Sequence, residues 1–458
     1  MDFKNLSYQY FNEALSSLEE LIKIPSVLDE FRPDTDEPFG HQNRLVLEKF
    51  LGIAGDMGFE TENDQNYAGV ASFGSGDEEL GILGHLDVVP AVGNWRYGPF
   101  TPRIYDGRLF GRGSLDDKGG VIASLYAMKL LKDQGFVPNK KISLIVGCDE
   151  ESGSRCLEHY LNGHHMPDMA FSPDAGFPVI YGEKAILSFD LGGSLDNPEI
   201  LSFKGGLRYN IVIDHMELEV KDPKQEYIDE FIRETGKKCE LKDGIYHFYG
   251  KAAHASTPYD GDNAAYTMFK FMNKYYPSNL SSFAIKYFDD FGKKLGIDLH
   301  DEEMQDLTIN LGICNFEDGA LKLGFNLRVP RDSHIEVIRE GYLKALSDEK
   351  YQLLNLGEFY ASQSHYVDPN GPLVQSLMEA YQEESGDLET KPYCIGGGTY
   401  AKAIKNACAF GPCFPNRKDI CHEPDEHIYL EDFVKWIAIY ARAIYNLCKW
   451  DNERLKML

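Results

Sequence analysis

The first third of the chain alternates between two hydrophobic patterns. In some segments apolar residues recur every three or four positions, which predicts helices with one buried face. Elsewhere, short apolar runs lie between glycine, proline or charged residues, which is typical of strands buried in a parallel sheet. Helices are predicted over residues 8–24, 43–58 and 118–131, and strands over residues 67–73, 80–83, 141–147 and 169–171. The order of these elements indicates an α/β fold.

Three of the predicted strands are followed closely by histidine or carboxylate side chains. His85 and Asp87 come at the end of the second strand, and their spacing of two places them on one face of it. Glu150 and Glu151 follow the third strand, and Asp174 follows the fourth. Ligands of open α/β sheets bind at the carboxyl ends of the strands. The sequence therefore predicts a functional site at this edge of the sheet.

The pattern changes after residue 186. Strand patterns over residues 185–191, 211–220 and 245–249 alternate with longer helical patterns over residues 263–275 and 334–346, the last with Ser333 as its candidate cap. A helix starting at Pro372, an apolar segment over residues 407–410 and a final helix over residues 431–448 would complete the first sheet. We therefore predict a catalytic domain formed by residues 1–186 and 366–458. It would be a mixed sheet flanked by helices, and residues 187–365 would form an inserted α+β lid domain.

The composition argues against several classes of partner. The 458-residue chain carries a net charge of −27 and has a pI of about 4.9. Such a charge repels phosphate backbones and anionic lipids, so nucleic acids and membrane surfaces are not expected partners. No run of about 18 apolar residues predicts a membrane span, and the N-terminus lacks the basic and apolar regions of a signal peptide. The sequence therefore favours a cytoplasmic enzyme.

The candidate chemistry is that of a metal site. Two histidines and three carboxylates are candidate ligands: His85, Asp116, Glu151, Asp174 and His422. This donor set suits zinc, with manganese or cobalt as alternatives, better than calcium, which takes mostly oxygen ligands. Five ligands exceed what one tetrahedral ion needs, but they suit two ions that share one carboxylate. Two ions about 3.5–4 Å apart can polarise a carbonyl and activate a bridging water.

Two further carboxylates lie next to candidate ligands. Glu150 is adjacent to Glu151 and can take the proton of the bridging water as a general base. Asp87 lies on the same strand face as His85 and can hold the other imidazole N–H, which fixes the tautomer. With these two residues, the sequence contains every side chain that a metal-dependent hydrolytic site needs.

Several motifs of this chain resemble the M20 family of metallopeptidases. The segments that carry the resemblance are Gly84–Pro90, Gly111–Gly119, Asp149–Gly153, Ser172–Asp174, Gly250–Pro258 and His422–Glu426. They occur in the family's order and cover nearly the whole chain. Within the family, Ser172–Ala175, Gly396–Tyr400 and the large insertion resemble the monomeric bacterial dipeptidases of the PepV type. The resemblance implies a zinc-exopeptidase-like catalytic domain with a lid.

The resemblance also implies a role for each candidate ligand. Its assignment is His85 and Asp174 for one ion, Glu151 and His422 for the other, and Asp116 as the bridge. Glu150 matches the general base, and Asp87 matches the acid that orients the histidine. The peptide bond between Asp116 and Asp117 would be cis. Asp117 itself could be a mere neighbour of the site.

Substrate-binding residues are implied in and near the inserted domain. His254 matches the histidine that stabilises the oxyanion, and Asn210 and Arg328 match substrate contacts. Arg328 would clamp the free carboxylate of a dipeptide. Gly397 and Gly398 could present backbone amides to that carboxylate, although their segment could equally be only a tight turn. On its own, His254 could be a buried structural histidine, and Arg328 could form a plain salt bridge.

Three functional hypotheses follow. The first is a metal-dependent dipeptidase that hydrolyses unblocked dipeptides, with the lid excluding longer peptides. The second is an N-acyl-amino-acid deacylase, similar to a desuccinylase, that uses the same dinuclear site. The third is a catalytically silent binding module, against which the presence of Glu150 with all five ligands argues. A monomer is expected, because the large lid can supply His254 within one chain.

Overall fold

A computed structural model of the protein describes residues 1–331 and 334–449, which form two compact units. The first unit comprises Met1–Gly182, Tyr366–Tyr393 and the chain from Thr399 onwards. The second comprises Glu183–His365 and Cys394–Gly398. The first boundary falls a few residues before the one predicted after residue 186. The assignment of Cys394–Gly398 to the second unit has no counterpart in the sequence-based division.

The α-helices in the described part of the chain lie close to the predicted ones where a prediction was made. They are α1 (Phe3–Ile22), α2 (His41–Asp56), α3 (Lys118–Asp133), α4 (Arg155–Gly163), α5 (Gln225–Thr235), α6 (Ala264–Tyr275), α7 (Asn279–Tyr287), α8 (Ile335–Leu346), α9 (Pro372–Ser385) and α10 (Leu430–Cys448). Ser333, the predicted cap of α8, lies outside the described residues.

The strands are mostly short. They are β1 (Glu60–Asp64), β2 (Ala68–Phe73), β3 (Glu79–His85), β4 (Arg103–Tyr105), β5 (Arg108–Phe110), β6 (Lys141–Gly147), β7 (Met169–Ser172), β8 (Ala175–Gly176), β9 (Ile180–Glu183), β10 (Ala185–Gly193), β11 (Ile200–Gly205), β12 (His215–Val220), β13 (Cys239–Lys242), β14 (Ile245–Tyr249), β15 (His300–Asp301), β16 (Gln305–Asp306), β17 (Thr308–Glu317), β18 (Ala320–Val329), β19 (Leu354–Ala361), β20 (His365–Tyr366), β21 (Tyr393–Ile395), β22 (Ala407–Ala409), β23 (Pro412–Cys413) and β24 (His427–Tyr429).

The first unit is built on a mixed sheet flanked by helices, which confirms the predicted fold class. Its strands run in the order β1-β2-β6-β3-β7-β22-β9, and β6, β3, β7 and β22 are mutually parallel. Helix α3 packs against β3, and α1 and α10 pack against α3. Strand β22 comes from the late part of the chain, so that part completes the sheet as predicted.

The first helix begins earlier and ends earlier than predicted from its apolar spacing. It starts at Phe3 because Asp2 caps it, with its carboxylate accepting the backbone N–H of Asn5 at 3.1 Å. It ends at Ile22 rather than Ile24, because the residue before Pro25 is disfavoured in helical geometry.

The second unit is an antiparallel sheet covered by helices on one face. Its strand order is β13-β14-β12-β11-β17-β18-β10-β19. Alternate residues of the strands form a continuous apolar core that includes Leu218, Phe248 and Phe325. Helix α6 packs against β12 and β14, and α8 packs against β19. This architecture agrees with the predicted α+β class.

One predicted strand is too long. The pattern over residues 211–220 predicts a single strand, but β12 begins only at His215. Ahead of it, Val212 donates its N–H to the Ala253 carbonyl at 2.9 Å, and Ile211 forms an isolated bridge with His254. The backbone of these residues therefore pairs with residues 253 and 254 and not with the strands next to β12. The alternation of apolar side chains continues through them, which is why the sequence pattern predicted a longer strand.

Among the helices that the structure describes, none has both the length and the apolar character needed to cross a bilayer.

Candidate metal centre

Three adjacent parallel strands bring the predicted ligands to one edge of the first unit's sheet. Strand β3 lies between β6 and β7, and all three run in the same direction. His85 is the last residue of β3, Glu151 follows the end of β6, and Asp174 follows the end of β7. Parallel strands present their carboxyl ends at a common edge. Residues that are far apart in sequence therefore meet there.

Asp116 reaches the same edge from the start of α3. The peptide bond between Asp116 and Asp117 is cis, which confirms the prediction. Asp117 precedes the helix, and its Oδ2 accepts the backbone N–H of His85 at 3.2 Å. Gly120 is required here because a Cβ atom would overlap both the Asp117 carboxylate and the Pro173 carbonyl. Asp117 is therefore a buried part of the cluster and more than a neighbour.

The carboxylate of Asp116 is shared by two histidines. Its Oδ1 lies 3.0 Å from His85 Nε2, and its Oδ2 lies 3.1 Å from His422 Nε2. Asp174 Oδ1 lies 3.5 Å from the same nitrogen of His85, and Glu151 Oε2 lies 3.1 Å from that of His422. The structure thus brings all five predicted ligands into two groups with Asp116 common to both.

Electrostatics show that the cluster carries more negative charge than its own cations can balance. Burial raises the pKa of Asp174 to about 6, and burial together with Asp116 raises the pKa of Glu151 to about 7. Hydrogen bonds that the His422 ring donates to the Asp116 and Glu151 carboxylates raise the pKa of this histidine to about 11. Although burial opposes it, Asp174 and Asp116 raise the pKa of His85 well above its ordinary value.

Divalent cations fit this environment, because they would neutralise buried carboxylates and bind imidazole nitrogens. The donor atoms of His85, Asp116 and Glu151 lie within 4.8 Å of one another, as do those of His85, Asp117 and Asp174. Asp117 is thus a further carboxylate at coordinating distance. Because its Oδ2 accepts the backbone N–H of His85, we assign Asp117 the role of positioning His85 and do not count it among the five ligands.

Asp87 contacts His85 and also the two glutamates that follow β6. Nδ1 of His85 contacts the backbone carbonyl of Asp87 at 3.0 Å, whereas the nearer carboxylate oxygen lies 3.4 Å away. The carboxylate instead accepts the backbone N–H groups of Glu150 and Glu151, each at 3.1 Å. Asp87 therefore contacts His85 through its carbonyl and, at longer distance, through the carboxylate as predicted, and it holds the two glutamates through that carboxylate.

Glu150 lies at the end of this network. Burial, and then the charge of Asp174, raise the pKa of the Glu150 carboxyl well above its ordinary value. A carboxyl with a raised pKa is a stronger base in its ionised form, which suits general acid–base catalysis.

A buried ion pair that the sequence did not reveal holds two ligand segments together. Glu426 accepts hydrogen bonds from Arg112 at 2.6 Å and from the backbone N–H groups of Leu115 and Asp116 at 2.8 and 3.2 Å. Arg112 also donates to the backbone carbonyl of His422 at 3.2 Å. Both charged residues occur in the motifs that carry the resemblance, but only the fold shows that they pair.

The backbone of His422 adopts an uncommon conformation. Its φ of 66° lies in the left-handed region, which non-glycine residues seldom occupy. Such conformations persist where the surroundings hold them, and they cluster at functional sites. The contact of Arg112 with the His422 carbonyl is one such restraint.

The predicted substrate residues belong to the second unit. His254 is exposed, so the alternative of a buried structural histidine is wrong. Ser256 donates its backbone N–H to His254 Nδ1 at 3.3 Å, and its hydroxyl lies 2.7 Å from that nitrogen. This pattern assigns the ring proton to Nε2. The carbonyl of Asn210 accepts the N–H of Ala255 at 2.9 Å, which places Asn210 beside this segment.

Arg328 approaches the same segment. Its Nε donates to Asn326 Oδ1 at 2.9 Å, and its NH1 donates to the carbonyl of Gly396 at 2.6 Å. Gly396 in turn lies against Ser256, where a Cβ atom would be 2.8 Å from that of the serine. Gly397 and Gly398 follow directly, the first half-buried and the second exposed.

Arg328 is buried, and burial lowers its pKa to about 10. Within residues 1–331 and 334–449, no carboxylate lies within 4.0 Å of its guanidinium, so the plain salt bridge considered from the sequence is absent there. A buried cation without an anionic partner is costly, and it favours binding of an anionic ligand.

The model of the family described as Peptidase family M20/M25/M40 matches residues 81–446. The chain belongs to this family. It is therefore a hydrolase that acts on peptide bonds, which confirms the resemblance drawn from the motifs. The third hypothesis, a binding module without catalysis, is accordingly set aside.

Individual relatives agree with this assignment. "Putative dipeptidase YtjP" of Bacillus subtilis (strain 168) is 36% identical over 458 residues, which span 95% of this chain and 97% of the relative. Human carnosine dipeptidase 1 has a similar fold, with a TM-score of 0.59, 16% identity and coverage of 97% of this chain and 98% of the other. The YXEP protein of Bacillus subtilis, described as a dinuclear metal-binding M20 peptidase, has a TM-score of 0.52 at 11% identity, with coverage of 96% and 99%.

Proposed function

We propose that this M20 peptidase is a metal-dependent dipeptidase that hydrolyses unblocked dipeptides. The observation that carries the proposal is the sharing of Asp116 between His85 and His422, whose Nε2 atoms each face a different oxygen of its carboxylate. Two donor groups joined by one carboxylate suit two divalent ions. His85 and Asp174 would hold one ion, Glu151 and His422 the other, with zinc preferred and manganese or cobalt as alternatives.

When bound, such ions would polarise the scissile carbonyl and lower the pKa of the attacking water. Glu150 would accept the proton of that water and pass it to the leaving amine, because its buried carboxyl has a raised pKa. The Asp87 carboxylate holds the backbone of Glu150 at 3.1 Å, and so it would keep the base in position. His254, with its proton on Nε2, would donate to the oxyanion.

Recognition of the substrate would rest on its charged carboxyl end. Arg328 is buried and its hydrogen bonds to Asn326 and Gly396 go to neutral oxygens, so a substrate carboxylate would be its first anionic partner. Gly397 and Gly398 directly follow Gly396, whose carbonyl accepts a hydrogen bond from that guanidinium, and they would present backbone amides to the same carboxylate. Asn210 would contact the substrate backbone.

The dipeptidase hypothesis is preferred to the N-acyl-amino-acid deacylase because relatives at 34–36% identity are named as putative dipeptidases. Both substrates end in a free carboxylate, so Arg328 does not separate them. The difference lies in the amine end, which is charged in a dipeptide and neutral in an acylated amino acid.

A substrate panel tests the proposal. The purified protein, supplied with zinc or manganese, is assayed on free dipeptides, N-acetyl and N-succinyl amino acids, and tripeptides. We expect hydrolysis of free dipeptides with kcat/KM at least tenfold above the other classes. Hydrolysis confined to acylated amino acids would replace the dipeptidase proposal with the deacylase one.

Substitution of Glu150 tests whether this residue acts as the base and not as a metal ligand. Glu150→Gln should bind as much metal as the wild type but lose roughly 10²–10⁴-fold in kcat, the usual share of a general base. Glu158→Gln, an exposed glutamate on α4, is the matched control and should keep full activity. An unchanged kcat in Glu150→Gln would remove Glu150 from the mechanism.

A further inference from the structure

A second cluster of histidine and carboxylate side chains lies entirely within the second unit. His215 and Glu217 are two residues apart on β12, and His247 lies opposite Glu217 on the neighbouring strand β14. Alternate residues of a strand face the same side, so the three side chains share one face of the sheet. Met216, between His215 and Glu217, and Phe248, next to His247, point into the core on the other face.

The donor atoms of this cluster are close enough for a single ion. His215 Nε2 lies 3.1 Å from His247 Nδ1, and Glu217 Oε1 lies 3.9 Å from that same nitrogen. One donor atom from each residue lies within 4.8 Å of the others. Tetrahedral zinc with bonds of about 2.0–2.1 Å keeps its ligands roughly 3.4 Å apart. Small rotations of the Glu217 side chain would therefore complete the geometry.

Neighbouring side chains hold the cluster in place. The ring of Tyr249 stacks on that of His215 with centroids 5.0 Å apart, and the two imidazole rings are nearly parallel, at 5°. Lys204 lies 3.1 Å from Glu217 Oε2, which leaves Oε1 facing the histidines. The side chains of His247 and Glu217 are 14% and 26% exposed, so solvent reaches the site only in part.

A hydrogen bond between the two imidazoles would explain the 3.1 Å distance between them, and Lys204 pairs with one carboxylate oxygen, but the other oxygen faces His247 without bonding to it. Such a bond uses one proton and leaves Glu217 too far away, at 3.9 Å, to join it. A metal ion would engage all three donors. It would also leave a fourth position open toward the adjoining groove of about 840 Å³, whose walls include His215 and Glu217.

We propose that His215, Glu217 and His247 bind one divalent transition-metal ion, such as zinc, independently of the dinuclear centre. Two imidazoles, one carboxylate and an open position form a donor set that zinc accepts readily, and cobalt, nickel or copper would also bind it. The ion would tie the beginning of β12 to β14. Asn210, the predicted substrate contact, lies only a short loop before that point.

Counting bound ions tests the proposal. The full-length protein is dialysed to equilibrium against micromolar zinc, and bound zinc is measured per chain. Wild-type protein should bind one more ion than His247→Gln or His215→Gln. His300→Gln, an exposed histidine of the second unit, is the matched control and should bind as many ions as the wild type.

The additional ion should also remain in Asp116→Ala, which lacks the residue shared by the two groups of the first unit. This variant makes the test independent of the proposed dipeptidase function. Crystals grown with zinc should show an anomalous peak about 2.1 Å from both His215 Nε2 and His247 Nδ1.

Equal zinc content in the wild type and both histidine variants would overturn the proposal, and so would occupancy only at millimolar zinc. The two histidines would then form a simple hydrogen-bonded pair. Melting temperatures measured without zinc establish that the variants are folded. Using two different histidine variants keeps the test decisive if one of them does not fold.

Discussion

The two histidine–carboxylate clusters of this protein are built in opposite ways. In the first unit, the donors come from the end of β3 and from loops at one edge of a mixed sheet, and buried groups such as Glu426 and Asp87 hold those loops. In the second unit, the donors stand directly on two neighbouring antiparallel strands, whose register brings them together. The first cluster is dense in carboxylates, whereas the second contains a single one. The proposed catalytic cluster thus depends more on contacts between distant segments than the second cluster does.

The largest effect is expected from the shared ligand of the first cluster. Asp116→Ala should abolish paired metal binding and lower kcat/KM on the order of 10⁴-fold, because both groups lose a donor at once. Bound metal and dipeptide hydrolysis are measured together. Asp106→Ala, a change at an exposed turn residue, should leave both unchanged. Full metal content with normal activity in Asp116→Ala would contradict the dinuclear assignment.

A smaller effect is expected from breaking the buried ion pair between Glu426 and Arg112, which holds the segments of that cluster together. Glu426→Gln leaves Arg112 buried without a charged partner and weakens the restraint on Asp116 and His422. Metal affinity should fall about 10–100-fold, as for other groups that orient ligands. The free energy of unfolding should fall by about 3–5 kcal/mol, as when a buried pair is broken.

Competition with a chelator and urea unfolding measure these two quantities. Glu423→Gln, an exposed neighbour paired with Lys418, is the control and should change neither. If Glu426→Gln altered stability without changing metal affinity, the ion pair would serve the fold alone.

A moderate and selective effect is expected at the predicted carboxylate clamp. Arg328→Lys keeps the charge but loses the forked geometry, so kcat/KM for free dipeptides should fall about 30-fold, mainly through KM. Dipeptides with an amidated C-terminus should be hydrolysed equally slowly by both proteins. Arg339→Lys on α8 is the exposed control. Equal losses on free and amidated substrates would mean that Arg328 does not bind the carboxylate.

The smallest effect concerns pH. In the ion-free protein, neighbouring carboxylates raise the pKa of His422 to about 11, so this histidine is protonated at neutral pH. An ion must displace that proton, so metal affinity should rise with pH, about tenfold per unit for each proton released. Titration calorimetry at several pH values measures the slope. His422→Asn should flatten it, and an unchanged slope would assign the released proton elsewhere.

Local chemistry explains why so much of the fold could be predicted. Glycine-bounded apolar runs and helical spacing located β3, β6, β7 and α3 within a few residues, because burial on two faces leaves a distinct pattern. The pattern failed at residues 211–214, where backbone groups bond outside the ladder although the side chains continue to alternate. It also gave no sign that Cys394–Gly398 belongs with the second unit.

The amino-acid sequence by itself determined the family and identified the candidate ligands along the chain, because each lies in a short motif next to a predicted element. Only the tertiary structure decided which donors meet at Asp116, that Asp87 works through two backbone N–H groups, and that Glu426 pairs with Arg112. Those facts depend on strand order and on contacts between segments hundreds of residues apart. The spacing of apolar residues cannot predict such contacts, since it indicates only which face of a helix or strand is buried.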